Sequence, residues 1–224
     1  FFSGCNLHCL YCQNAEISQK RSSRPVSTEE LAEIMLQVQE MGCHNLNLVS
    51  PTHVVPQIAA AVDLAARQGL RLPLVYNTGG YDALPTLQLL EDVVDLYMPD
   101  MKYASSELGL QYSDVEDYPF HNQQAVLEMH RQVGNLQIAP DGTAVRGVLI
   151  RHLVLPGDQA GSREIMNFIA SRISKQTYLN IMDQYRPAYQ ARGHPVLNRR
   201  ISSREYQQVL EWARKAGLDR LDQR

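Results

Sequence analysis

Cys5, Cys9 and Cys12 lie within eight positions of one another, in the spacing C-x3-C-x2-C. Three thiolates on so tight a loop can hold three irons of a [4Fe-4S] cluster and leave the fourth iron open to an outside ligand. A zinc site would need a fourth protein ligand, for which His8 or His44 is at hand, and a non-enzymatic zinc or electron-transfer module is the rival reading. The fourth cysteine, Cys43, follows Gly42 far from the loop and reads as a small buried hydrophobe.

Polar residues and glycines recur just after each apolar run. Ser50-Pro51-Thr52-His53, Asn77-Thr78-Gly79-Gly80, Asp100-Met101-Lys102, Pro156-Gly157-Asp158 and Asp183-Gln184-Tyr185 all occupy such positions. In a parallel α/β protein, ligands gather at the carboxyl ends of the strands, so these words predict one site across the top of one sheet. Asp100 and Lys102 offer an acid and an ammonium two residues apart, or else a plain surface ion pair. Arg151 and His152 alternate along one strand, so only one of them points inward.

The elements that carry these words alternate between strand and helix. Ser27-Thr28-Glu29-Glu30 is a capping box that opens a helix with Leu31, Ile34, Met35, Val38 and Met41 on one stripe, ending at Gly42. A strand at Leu46 to Val49 leads to a helix from about Pro56 to Gly69. Strands follow at Leu72 to Tyr76, Val93 to Met98, Val148 to Leu155 and Tyr178 to Met182. Helices fall at about Ala83 to Glu91, Asn122 to Val133, from Ser162, and from the Ser202 to Glu205 capping box onward. Residues 103 to 121 read as an acidic insertion, 135 to 146 as a hairpin, and 186 to 200 as a basic loop; the two charged segments are expected to rim an opening at the strand ends. With the apolar Phe1-Phe2 stub taken as the end of a first strand, six βα units are expected, in one domain over residues 1 to 224. The abrupt start is read as an N-terminally trimmed chain.

Composition narrows the classes. The 224 residues carry 44% hydrophobic and 20% charged side chains and a formal charge of -3, which excludes a disordered or fibrous chain and gives no broad basic footprint for nucleic acid. No run approaches the roughly 18 apolar residues of a membrane span, so neither a membrane nor nucleic acid is expected as partner, and the expected location is cytoplasmic.

The C-x3-C-x2-C loop, with Tyr11 before its last cysteine and an apolar stub before its first, resembles the radical S-adenosylmethionine (SAM) enzymes. The words Phe2-Ser3-Gly4-Cys5-Asn6-Leu7 and Cys12-Gln13-Asn14 are similar to the pyruvate formate-lyase activating enzyme branch. Ser50-Pro51-Thr52-His53-Val54 and Arg151-His152-Leu153-Val154-Leu155-Pro156-Gly157 resemble its PflX-like subgroup. The resemblance implies a partial (β/α)6 TIM-like barrel, a [4Fe-4S] cluster on Cys5, Cys9 and Cys12, and reductive cleavage of SAM to a 5′-deoxyadenosyl radical. It implies an activating-enzyme-like oxidoreductase with a protein or peptide substrate of the glycyl-radical type, or else a small metabolite. An electron donor such as flavodoxin or ferredoxin is also implied. Tyr11 would lie near the adenine, Asp100 and Lys102 match an Asp-x-Lys word that offers an acid for the ribose hydroxyls and an ammonium for the SAM carboxylate, Asn14 joins the cofactor site, and His152 either joins it or is a core histidine. Two words depart from the family: Ser50-Pro51-Thr52-His53 stands where Gly-Gly-Glu is usual, leaving backbone carbonyls or the Thr52 hydroxyl for the amino group of SAM, with His53 also counted in the cofactor site. Asn77-Thr78-Gly79-Gly80 has Asn77 in place of a carboxylate.

Overall fold

The computed structural model describes residues 2–20 and 23–222. In chain order the elements are α1 (Ala15–Ser18), α2 (Thr28–Glu40), β1 (Leu46–Val49), α3 (Val55–Arg67), β2 (Leu74–Thr78), α4 (Leu84–Gln88) and β3 (Leu96–Pro99). Then follow α5 (Ser106–Ser113), α6 (Tyr118–Val133), β4 (Gln137–Ile138), β5 (Ala144–Leu153), α7 (Ser162–Phe168), β6 (Tyr178–Met182) and α8 (Ser203–Ala216).

Parallel pairing runs β1-β2-β3-β5-β6, and the short β4 lies antiparallel on the first part of β5. Among the described residues β1 and β6 share no ladder, so the sheet curls into a partial TIM-like barrel that stays open between them. Strand parity builds its two faces. Val75, Leu96 and Leu136 pack with Met98, Leu149 and Tyr178 on the inside. Tyr76, Tyr97, Val148, Ile150, Leu179 and Ile181 face outward into the large core shared with α6, α7 and α8, while Leu46, Leu48 and Leu74 pack under α2 and α3.

Helix starts follow the side chains available to satisfy the free N–H groups of a first turn. Ser27 accepts from Glu30 N at α2, and Ser202 and Glu205 form a reciprocal capping box at α8. Five parallel strands are present among the described residues instead of six: Phe1 lies outside them, and Phe2 reaches β1 through one hydrogen bond, N to Val49 O at 3.3 Å. The acidic insertion at 103 to 121 holds α5 and the first turn of α6. Ser105 caps α5, Asp114 ends it in the left-handed region, and α6 begins at Tyr118 with Pro119 in its first turn. The acidic residues there had masked two helix starts. The expected hairpin at 135 to 146 is formed, and its pairing extends β5 back to Ala144. The helix expected from Ala83 to Glu91 is shorter, and Cys43 is exposed, not buried.

Candidate functional site

The cysteine loop has no regular structure of its own and is tied to its surroundings by main-chain bonds. His8 N donates to Ser113 O at 3.0 Å and Leu10 N to Tyr112 O at 2.8 Å, so the last turn of α5 clamps the loop. From the other side Ala191 N donates to Leu10 O at 2.9 Å, and Leu7 is buried as an apolar anchor. The acidic and basic segments flank a shared cleft, lined by Leu110, Gln111 and Asp114 of the one and Tyr189 and Gln190 of the other. They meet beside the cysteine loop, where the His194 ring packs edge-on against Tyr112 at 5.3 Å.

The three thiols line one cavity of about 490 Å³ at the carboxyl ends of β1, β2 and β3. Each has its own partner: Leu7 N donates to Cys5 Sγ at 3.4 Å, Cys9 Sγ lies 2.9 Å from Ser113 Oγ, and Cys12 Sγ lies 3.3 Å from Ser18 Oγ. Burial pushes the Cys5 thiol up, and pushes that of Cys9 up to about 11. Metal coordination would hold them as thiolates, because binding replaces their protons. Among the described residues no three Cys, His, Asp or Glu side chains gather around a single point. A cluster meets each sulfur through a different iron, so its three ligands need not converge on one point.

The opposite wall is charged. Asp100 lies between Lys102 Nζ at 2.6 Å and Arg151 NH2 at 2.7 Å, all three little exposed. Burial alone would raise the Asp100 carboxyl, but Arg151 and Lys102 outweigh it and hold the group below the ordinary aspartate value. For Lys102 burial is likewise outweighed, by Asp100, and its ammonium is raised. Two cations against one anion leave one net positive charge facing the cavity. The buried Nε of Arg151 has no hydrogen-bond partner among the described residues, so this wall has a donor to spare for an anionic group.

Glycines shape the third side. A Cβ on Gly79 would come within 2.5 Å of Leu7 Cδ1, and one on Gly80, at φ +78°, within 2.2 Å of Asp100 O. Tyr118 and Asn122 of α6 stitch this turn to the next strand end. The Tyr118 hydroxyl lies 2.8 Å from Gly79 O and 3.1 Å from Asp100 O, while Asn122 Nδ2 donates to Gly80 O and Asp100 O, both at 2.9 Å.

Of the residues expected at the site, Cys5, Cys9, Cys12, Asn14, Asn77, Thr78, Asp100 and Lys102 line the cavity. Four do not. Thr52 and His53 turn into an adjoining cleft beside Asn6 and Tyr81. There Thr52 Oγ1 donates to Asp82 at 2.7 Å, and His53 Nε2 lies 2.9 Å from Ser3 O. Tyr11 is buried behind the loop, its hydroxyl 2.6 Å from that of Tyr103, and burial holds both phenols well above their ordinary range. His152 faces the outer core. Its Nδ1 donates to Met101 O at 2.7 Å and its Nε2 accepts from Ser162 at 2.9 Å, a fully satisfied neutral ring whose pKa burial drives down.

The parity question on β5 thus resolves in favour of Arg151, which faces the cavity together with Asn47 and Ser50. Arg151 was one of the two alternatives that the sequence left open and Ser50 stood within a strand-end word, whereas sequence reasoning passed over Asn47. For Asn47 the available signal was a polar residue alternating with Leu46 and Leu48. Asp82 was also missed: it is a buried carboxylate whose ligands are the hydroxyls of Thr52, Thr78 and Tyr76.

Residues 1–169 match the Radical SAM superfamily. The chain is 30% identical over 229 residues to an uncharacterized protein of Methanocaldococcus jannaschii, covering 98% of this chain and 62% of that protein; it thus spans less than two thirds of its relative's length. Its fold is similar to that of a radical SAM methyltransferase from Sphaerobacter thermophilus, with TM-score 0.65 and 15% identity over 99% of this chain and 63% of the other. It is also similar to a domain of pyruvate-formate lyase-activating enzyme from Bacteroides vulgatus, with TM-score 0.56 and 12% identity over 80% of this chain and 98% of that domain. With a cysteine-lined cavity at the strand ends and three quarters of its length matched, the chain belongs to the Radical SAM superfamily, whose enzymes use an iron-sulfur cluster and SAM.

Proposed function

We propose that Cys5, Cys9 and Cys12 hold a [4Fe-4S] cluster, that SAM lies across the ends of β1, β2, β3 and β5, and that the protein is an activating-enzyme-like oxidoreductase acting on a protein or peptide. The observation that carries this reading is the facing of three thiols and the Asp100, Lys102 and Arg151 trio across one cavity. When bound, the cluster and SAM supply a reductive cleavage that gives methionine and a 5′-deoxyadenosyl radical able to take a hydrogen atom from the substrate.

The chain's own residues bind and orient. Lys102 and Arg151 meet the carboxylate of SAM with charge-assisted hydrogen bonds, and Asp100 fixes both cations where they are needed. Asn14, Asn77 and Ser50 offer amide and hydroxyl groups to the remaining polar atoms of SAM, and Gly79 makes room for Leu7, which anchors the cysteine loop. Thr52 serves indirectly, holding Asp82, which in turn holds Thr78. His53, Tyr11 and His152 support the site from outside the cavity.

Substrate class follows from room. A cavity of about 490 Å³ shared by a cluster and SAM leaves little volume for a third molecule, so the reacting carbon must be presented from the rim. A polypeptide loop can project one residue to that rim while the rest stays outside. The free thiols suit a reducing compartment, hence the cytoplasm, where a flavodoxin or ferredoxin would supply the electron.

The test is hydrogen transfer. Reduced, reconstituted protein would be mixed with SAM and either deuterated candidate glycyl-radical proteins or deuterated metabolite pools. Deuterium reaching 5′-deoxyadenosine from a protein supports the reading; deuterium reaching it only from a metabolite, with no modified protein, overturns it.

A further inference from the structure

Behind the cysteine loop a row of hydroxyls leads to one sulfur. Tyr11 OH lies 2.6 Å from Tyr103 OH, Tyr103 OH 2.7 Å from Ser113 Oγ, and Ser113 Oγ 2.9 Å from Cys9 Sγ. All four residues are buried. Each hydroxyl carries a single proton, and a metal-bound Cys9 is a thiolate that can only accept. The sense of the whole row is then forced. Ser113 must donate to Cys9, so its lone pair accepts from Tyr103, and Tyr103 accepts from Tyr11.

We infer that Ser113 is a positioning residue for Cys9, donating a hydrogen bond to its sulfur in a direction locked by Tyr103 and Tyr11, and that this row raises the reduction potential of the cluster. The inference rests on the proposed ligation of the cluster by Cys9. A hydrogen bond to a ligating sulfur stabilises the reduced, more negative cluster more than the oxidised one. Burial keeps water from replacing the donor, and each phenol polarises the next hydroxyl in the row. The backbone fixes the geometry as well, since the clamp of α5 on the loop places Ser113 beside Cys9. The other two thiols are less enclosed. Cys5 has the Leu7 N–H at 3.4 Å and Asn6 Oδ1 at 3.9 Å, Cys12 has the longer contact to Ser18, whose hydroxyl accepts from Gln19 Nε2 at 3.1 Å, and both thiols are partly exposed.

The experiment is a redox titration of the reconstituted full chain, followed by electron paramagnetic resonance, with iron and sulfide measured on each sample. Ser113→Ala is expected to keep its iron and sulfide and to titrate at a more negative midpoint. Ser113→Thr should restore the wild-type value, and Tyr103→Phe should shift it in the same direction as Ser113→Ala but less far. A Ser113→Ala midpoint equal to that of the wild type overturns the inference and leaves the functional reading intact. Should Ser113→Ala fail to assemble a cluster, Tyr103→Phe decides, and its unchanged midpoint overturns the inference. A wild-type chain that assembles no cluster overturns the functional reading, and this inference with it.

Discussion

Asp100 is a carboxylate held between two cations, and the arrangement separates what orients from what binds. Its charge keeps Lys102 and Arg151 in place, while the surplus positive charge is left for a ligand. Lys102→Met should therefore weaken SAM binding by about 1 to 3 kcal/mol, the worth of a hydrogen bond between charged groups, without loss of iron. Equilibrium dialysis of the reconstituted protein measures it, and an affinity equal to the wild type returns Lys102 to a structural ion pair. Asp82 makes a different prediction. Burial raises its carboxyl, and the hydroxyls of Thr78, Thr52 and Tyr76 only partly offset that. Because the folded value lies above the unfolded one, the native state binds a proton that the unfolded chain has released. Its contribution to stability is thus fullest below the unfolded pKa and is lost as pH rises through the folded pKa. Relative to Asp82→Asn, the wild type should lose stability with rising pH by at most about 1.4 kcal/mol per pH unit in that window. Urea unfolding of both chains across pH reads this out, and a constant difference would count against the raised carboxyl.

At the scale of elements, those with strong local signals were legible in the sequence and those made by pairing were not. The capping words at Ser27 and Ser202 located α2 and α8, because a cap depends on residues three apart; Ser27 caps α2 through Glu30 N and Ser202 forms the full box with Glu205. Ser202→Ala should cost about 1 kcal/mol, read as a lowered urea midpoint. The start of β5 and the path of 103 to 121 escaped, because β4 pairing sets the first and packing on the cysteine loop sets the second. The cavity's words were legible as strand ends, but not the direction of each side chain: Thr52 and His53 leave the cavity because the chain after Ser50, at φ +53°, turns into a short 3-10 segment. The tight turn after β2 is the most demanding local feature. Gly80→Ala places a Cβ against Asp100 O and Asn122 at a positive φ, so it should destabilise by more than about 1 kcal/mol and lower SAM affinity together. Unchanged urea unfolding in that variant would show that the turn relaxes freely.

Over the whole molecule, the helices α2, α3, α6, α7 and α8 lie outside the sheet and the charged and thiol groups lie at one end of it. Apolar packing therefore holds the barrel while the strand ends remain free for chemistry. Among the described residues no helix is long and apolar enough to cross a membrane. The central claim is that one chain presents three cluster ligands and a SAM-binding wall to the same cavity. Its most direct test is reductive turnover of SAM by anaerobically reconstituted protein, with iron, sulfide, methionine and 5′-deoxyadenosine measured in the same samples. The account predicts equal iron and sulfide and reductant-dependent release of both products from the wild type, and neither cluster nor products from Cys9→Ala. An intact wild-type cluster that leaves SAM uncleaved, or normal iron and sulfide in Cys9→Ala, would contradict it.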